Sequence, residues 1–221
     1  MERLTAIWPN DLLQFTSLQD LVLTENPLPG WAKDSLSETK IVVVRRGLIN
    51  DNLIPVGIRG YERRQRFACY LNVAAIKKQY HPQYFIQHKS WERLSEDRQK
   101  LPPFQALQKI VPLLSNFQWG IGGSLGYEMA AGVKMVKNTT EHVSDLDLLL
   151  YQTPTLNRSQ AQELLQKLNQ YHVHADVQVV KGQNGFSLEE YAANRSKKTL
   201  VKTAAGPLLV VDPWQFLQEN K

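Results

Sequence analysis

This sequence has almost no sulfur chemistry: Cys69 is the single cysteine in 221 residues. An intramolecular disulfide is excluded, which fits a reducing compartment, and the chain is expected in the cytoplasm. No run of about 18 apolar residues occurs, so no membrane span is expected. Residues 1–9 carry Glu2 and Arg3 and lack the apolar core of a secretory leader. There is no internal repeat and no low-complexity tract. Aromatic residues are not interleaved with basic ones as in a base-stacking platform, so nucleic acid is not an expected partner.

What is present is core material and a mild excess of positive charge. Hydrophobic residues make up 43% of the chain, the formal net charge is +5 and the pI about 9.2. That is enough for one large domain or two small ones. The charge suits phosphate-bearing or acidic partners. The polar stretch 90–103 ends in Pro102-Pro103 and reads as a boundary. It divides a basic N-terminal domain (1–101) from a C-terminal domain (102–221).

The chemistry concentrates in 119–151. The stretch opens with Trp119-Gly120-Ile121-Gly122-Gly123-Ser124-Leu125-Gly126 and closes with Ser144-Asp145-Leu146-Asp147-Leu148. On a strand, residues two apart share a face. Asp145 and Asp147 then project together while Leu146 and Leu148 enter a core. Two carboxylates side by side repel. A hard divalent cation relieves this, and Mg²⁺ binds through one or two carboxylates plus substrate phosphates. Upstream, the turn at Gly123 and Ser124 offers backbone N–H groups and a helix N-terminus to phosphate. Asp-x-Asp alone also describes an ordinary solvated strand edge. It is the conjunction with the glycine turn that points to a metal and triphosphate site. A strand over 172–180 puts Asp176 on one face with Gln178, where it supplies a third carboxylate. His172 and His174 have the spacing of a metal pair, but no further Cys or His lies near, and zinc is not expected.

The rest of the chain frames this stretch. Asn10 and Asp11 are placed to cap a short helix through Leu13 and Phe15, and Pro27, Pro29 and Gly30 break the pattern. Strands are expected over 41–44 and 53–60, joined by the turn Asn50-Asp51-Asn52. A helical segment follows, with Phe67, Leu71, Ala74 and Ala75 on one face, ended by His81-Pro82. This half holds Arg45, Arg46, Arg59, Arg63, Arg64 and Arg66. Arginine suits bidentate phosphate contact, and those at strand ends face clefts. Beyond the boundary come a helix over 104–117 and a strand over 119–122. A helix over 125–131 stops at Gly132, and a polar loop over 134–143 leads to the strand 145–151. Then follow an amphipathic helix through Ala161, Leu164, Leu165 and Leu168, a helix opening at Glu189-Glu190-Tyr191, a turn and strand over 203–213, and a last helix from Asp212-Pro213-Trp214. Lys197, Lys198 and Lys202 add positive charge.

Gly123-Ser124 followed by Asp145-x-Asp147 and a later strand Asp resembles the nucleotidyltransferase superfamily that includes polymerase-β-like enzymes. The whole chain narrows this. Val43-Val44-Arg45-Arg46, Ile54-Pro55-Val56-Gly57-Ile58-Arg59-Gly60, Arg63-Arg64-Gln65-Arg66, Asp176-Val177-Gln178, Glu190-Tyr191-Ala192 and Lys202-Thr203-Ala204-Ala205-Gly206-Pro207 flank the core motifs. In that order they resemble the malonate decarboxylase holo-acyl-carrier-protein synthases, also called phosphoribosyl-dephospho-CoA transferases. The 124–145 segment is longer than in compact superfamily members.

The resemblance implies an α+β fold: a nucleotidyltransferase mixed sheet with flanking helices behind a smaller α+β domain. It implies transfer of 2'-(5''-triphosphoribosyl)-3'-dephospho-CoA to a serine of the acyl carrier subunit of malonate decarboxylase, with loss of pyrophosphate. Asp145, Asp147 and Asp176 are then the catalytic and metal-binding set for Mg²⁺, with Mn²⁺ as the substitute, and Asp176 serves as ligand or base. Gly123, Ser124, Arg45, Arg46, Arg59, Arg66 and Lys202 bind substrate. The rival reading is an enzyme that adenylylates a small molecule or protein from ATP.

Overall fold

The computed structural model describes residues 6–24, 26–151 and 153–220. Glu2 and Arg3 lie outside the described residues. Among the described residues the strands form two six-stranded sheets.

The first sheet comprises β1 (Leu12–Phe15), β2 (Leu21–Val22), β3 (Ile41–Val44), β4 (Leu53–Arg59), β5 (Arg66–Asn72) and β6 (Ile76–Tyr80), all paired antiparallel. Alternation sorts its faces. Ile54, Val56 and Ile58 of β4 and Cys69 and Leu71 of β5 enter one core with Ala32 and Leu36 of helix α1 (Gly30–Thr39). The opposite face carries Gly57, Arg59, Arg66 and Ala68, and looks into a cleft. The register places Gly57 against Ala68 and Arg59 against Arg66.

Three local expectations fail here. Asn10 and Asp11 cap no helix, because Leu12–Phe15 is a strand. Asp11 is buried and accepts from the Trp8 N–H, Gln79 Nε2 and His81 Nδ1, so its partners lie mostly across the fold. The segment after Arg66 is two strands, not a helix. Phe67, Cys69 and Leu71 alternate, and Asn72 interrupts the run by capping a 3-10 turn through the Ala74 N–H. His81-Pro82 starts a helix rather than ending one, with Pro82 in its first turn. The breakers at Pro29 and Gly30 likewise open α1.

Four short helices bridge the sheets or support the second: α2 (Pro82–Gln87), α3 (Glu96–Gln99), α4 (Pro102–Ile110) and, after β7 (Gln118–Ile121), α5 (Gly123–Ala131). Gly132, in the left-handed region at φ 73°, ends α5 as expected. The second sheet continues with β8 (Leu146–Tyr151), crosses over through α6 (Arg158–Leu168) and returns as β9 (Ala175–Lys181) parallel to β8. Asn157 and Gln160 form a reciprocal cap at the start of α6. Then follow β10 (Asn184–Ser187), α7 (Leu188–Ala193), β11 (Thr199–Thr203), β12 (Gly206–Val210) and α8 (Pro213–Glu219), with every other strand pair antiparallel. The architecture is α+β, with a mixed second sheet flanked by helices.

The larger core is built on this sheet, yet it takes in Leu12 of β1 and Ile41 of β3. The Tyr127 hydroxyl on α5 donates to the Ile41 carbonyl and lies 3.1 Å from Thr39 Oγ1, tying α5 to the first sheet. Helix α2 closes tightly on β7: a Cβ at Gly120 would stand 2.4 Å from the Pro82 carbonyl carbon and 2.5 Å from the Gln83 nitrogen. Backbone cannot yield there as a side chain would. Gly120→Ala is therefore expected to destabilise the protein by about 2 kcal/mol, read from the urea midpoint.

Candidate active site

The second sheet presents its carboxylates at one end. Leu146 and Leu148 are fully buried, so alternation turns Asp147 to the other face, with Asp145 just before the strand. On β9, Ala175 and Val177 are fully buried, which turns Asp176 and Gln178 outward. Parallel pairing brings Asp147 directly opposite Asp176. All three acids line one cleft of about 710 Å³.

The glycine turn sits against them. The Gly122 N–H donates to the Asp147 carbonyl at 2.9 Å. Gly123 has φ 57°, and a Cβ there would fall 1.6 Å from Asp147 Oδ2. Glycine is required at this position twice over, by the left-handed backbone and by the close approach of the carboxylate. Ser124 is buried in the first turn of α5, no side chain caps that helix start, and Gly122, Gly123 and Ser124 line the cleft there.

Arg45, Arg46, Arg59, Arg63, Arg66 and Lys202 line the same cleft. Gly123, Ser124, Asp145, Asp147 and Asp176 thus share one cleft with Arg45, Arg46, Arg59, Arg66 and Lys202. Arg64 does not: it is exposed and pairs with Glu62. Lys197 and Lys198 are likewise absent from the cleft wall. His172 is exposed, in the left-handed region. His174 has Nδ1 3.8 Å from Asp145 Oδ1, beyond hydrogen-bond reach, and Nε2 3.3 Å from Glu189 Oε2.

The acids strain one another. Burial pushes the Asp147 carboxyl up to about 6, and the neighbouring Asp176 and Asp145 push the same way. Arg59 and Arg66 oppose the rise. Burial also lowers Arg59 and Arg46 from the ordinary guanidinium value. Among the described residues, no three His, Cys, Asp or Glu side chains stand close enough to hold an ion by themselves. Any cation held beside Asp145 and Asp147 would draw only part of its shell from carboxylates and would need phosphate or water for the rest.

Sequence reasoning missed the wall that closes the site beside Asp145. Met135, Lys137 and His142 line the cleft from the 134–143 loop, with Ser144 just after it. That loop is anchored, not loose. Arg98 Nε and Nη2 donate to the two Glu128 carboxylate oxygens at 2.7 and 2.8 Å, and Nη2 also reaches the Val136 carbonyl. The Met135 and Val136 N–H groups donate to Glu128 Oε2. Ser144 closes the base through its N–H and Oγ, both bonded to the Lys137 backbone. Arg98 falls in the stretch read as a linker, and a lone Glu in a helix carries no signal of such a partner.

A cleft lined by both carboxylates and guanidinium groups suits a polyanion, and comparison with known proteins places the chain among the transferases. The model for the C-terminal domain of phosphoribosyl-dephospho-CoA transferase MdcG matches residues 92–213, and the model for its N-terminal domain matches residues 8–82. The chain belongs to the phosphoribosyl-dephospho-CoA transferase family. A phosphoribosyl-dephospho-CoA transferase of Pseudomonas fluorescens strain Pf0-1 is 36% identical over 188 residues, covering 84% of this chain and 85% of the relative. One from Pseudomonas syringae pv. tomato is 33% identical, covering 96% of each chain. One from Pseudomonas aeruginosa is 33% identical, covering 99% of each. No solved structure matches. Among the described residues, no helix is long and apolar enough to cross a membrane.

Proposed function

We propose that this protein transfers the phosphoribosyl-dephospho-CoA group from 2'-(5''-triphosphoribosyl)-3'-dephospho-CoA to a serine of the acyl carrier subunit of malonate decarboxylase, releasing pyrophosphate. The observation that carries the reading is the cleft itself: Asp147 opposite Asp176, Asp145 beside them, and a basic wall facing all three. In this reading 102–221 is a polymerase-β-like nucleotidyltransferase domain, 1–101 binds substrate and partner, and the enzyme works in the cytoplasm.

The serine oxygen attacks the α-phosphorus in line with the departing pyrophosphate. One P–O bond forms, one breaks, and the hydroxyl proton leaves. The donor is heavily anionic, so its charge must be neutralised and its reacting atoms aligned. Asp145 and Asp147 would hold Mg²⁺, or Mn²⁺ in its place. When bound, the cation neutralises phosphate charge and orients the leaving group. Asp176 either joins that ligand set or takes the serine proton. The Gly123 turn and Ser124 receive the β- and γ-phosphates at the N-terminus of α5, and Arg45, Arg46, Arg59, Arg66 and Lys202 bind the remaining anionic groups. The net charge of +5 favours encounter with an acidic carrier.

The test is mass spectrometry of the apo carrier subunit incubated with this protein, Mg²⁺ and the triphosphoribosyl donor. The expected result is a mass gain equal to the donor less pyrophosphate. An AMP adduct with ATP, and none with the donor, would replace this reading with adenylylation.

A further inference from the structure

The basic wall has two poles rather than one. Arg59 and Arg66 stand side by side in register and line the cleft with Asp147. Arg46 lies elsewhere. The Arg45 N–H bonds to the Pro55 carbonyl, four residues along β4 from Arg59, about 13 Å of strand. From there the chain turns toward the second sheet, where the Gly47 N–H approaches Gln183 Oε1 at 3.5 Å.

Arg46 crosses to β10. A Cβ at Gly185 would stand 3.0 Å from Arg46 Nη2, so the guanidinium rests where that side chain is missing. The register pairs Gly185 with Lys202 of β11. One cation from each sheet therefore flanks a bare strand position, and both cations line the cleft. Among the described residues neither Arg46 nor Lys202 has an ion-pair partner. The Arg46 Nε is buried with no hydrogen-bond acceptor. A buried N–H without an acceptor is costly, and an incoming phosphate oxygen would supply the missing one.

We infer that Arg46 and Lys202, over Gly185, form a second phosphate seat that takes the diphosphate of the dephospho-CoA moiety, while Arg59 and Arg66 serve the triphosphate beside Asp147. The inference rests on the transferase reading above, since the donor named there carries two anionic groups on different riboses. One polyphosphate chain needs only one basic pole. A donor with a diphosphate at one end and a triphosphate at the other uses both. Lys202 is exposed, so its substitution leaves packing intact, whereas Arg46 is half-buried.

The division is tested by equilibrium binding to the full chain with two probes: 3'-dephospho-CoA, which has only the diphosphate, and inorganic tripolyphosphate with Mg²⁺. Lys202→Gln and Arg46→Gln are expected to bind dephospho-CoA about tenfold more weakly and tripolyphosphate within about twofold of wild type. Arg59→Gln is expected to do the reverse. Melting curves establish that each variant is folded. Wild-type affinity for dephospho-CoA in Lys202→Gln would remove the second seat and leave the transferase reading standing. Equal loss of both probes in every variant would mean one undivided anion site and overturn the division. No binding of dephospho-CoA by the wild type would overturn both readings.

Discussion

Asp147→Asn is expected to abolish transfer and, in the same protein, to stabilise the cation-free fold at neutral pH. The loss of transfer follows from the central place of Asp147 between Gly123, Asp145 and Asp176, and a fall of about a thousandfold or more is expected. Asp145→Asn is expected to lose transfer similarly. The gain in stability follows from linkage. The carboxyl of Asp147 is raised to about 6 from an ordinary 3.8. An acid raised in this way favours the folded state while protonated. That contribution is whole below pH 3.8 and lost as pH climbs through about 6. Above that, the fold carries a charged, crowded carboxylate, a cost on the order of 3 kcal/mol. Asparagine removes the charge. Thermal unfolding in a chelator should show Asp147→Asn above the wild type at pH 7.5, with the gap closing toward pH 4. A constant gap across that range would mean that Asp147 does not titrate as described, and near-normal turnover would remove it from the chemistry.

Glu128→Ala is expected to be the most damaging substitution for stability. Glu128 is 2% exposed and accepts from both arms of Arg98 and from two backbone N–H groups. Removing one partner of a buried pair leaves the other charge stranded, at about 3–5 kcal/mol. A fall of about 10 °C in the melting midpoint is expected for a chain of this length. The 134–143 loop would lose its anchor as well, and with it the wall formed by Lys137, His142 and Ser144. Turnover should therefore fall even at temperatures where the variant remains folded. A shift of only a degree or two would show that the pair is replaceable.

The strand that carries Asp147 was legible because its signal is local. Leu146 and Leu148 alternate with Asp147, and period two alone turns the acids together. Asp176 with Gln178 could be read the same way, and the parallel register joined them. Gly132 as a helix stop needed only the left-handed preference of glycine. The first sheet was harder. Phe67, Leu71, Ala74 and Ala75 mimic helical spacing, but Cys69 completes an equally good strand alternation, and pairing with β4 settles the choice. Asp11 looked like a cap because its partners, Gln79 and His81, are some seventy residues away. Arg98 and Glu128 were opaque for the same reason. Long-range partners of single charged residues leave no periodicity to read.

The shared core has a consequence for inheritance. Leu12 and Ile41 complete the packing around the second sheet, and the Tyr127 hydroxyl finds its acceptor on β3. A gene cut between the two sheets would encode halves that each expose apolar surface meant for the other. Neither half could be traded freely into another protein. The two must be passed on, and must drift, together.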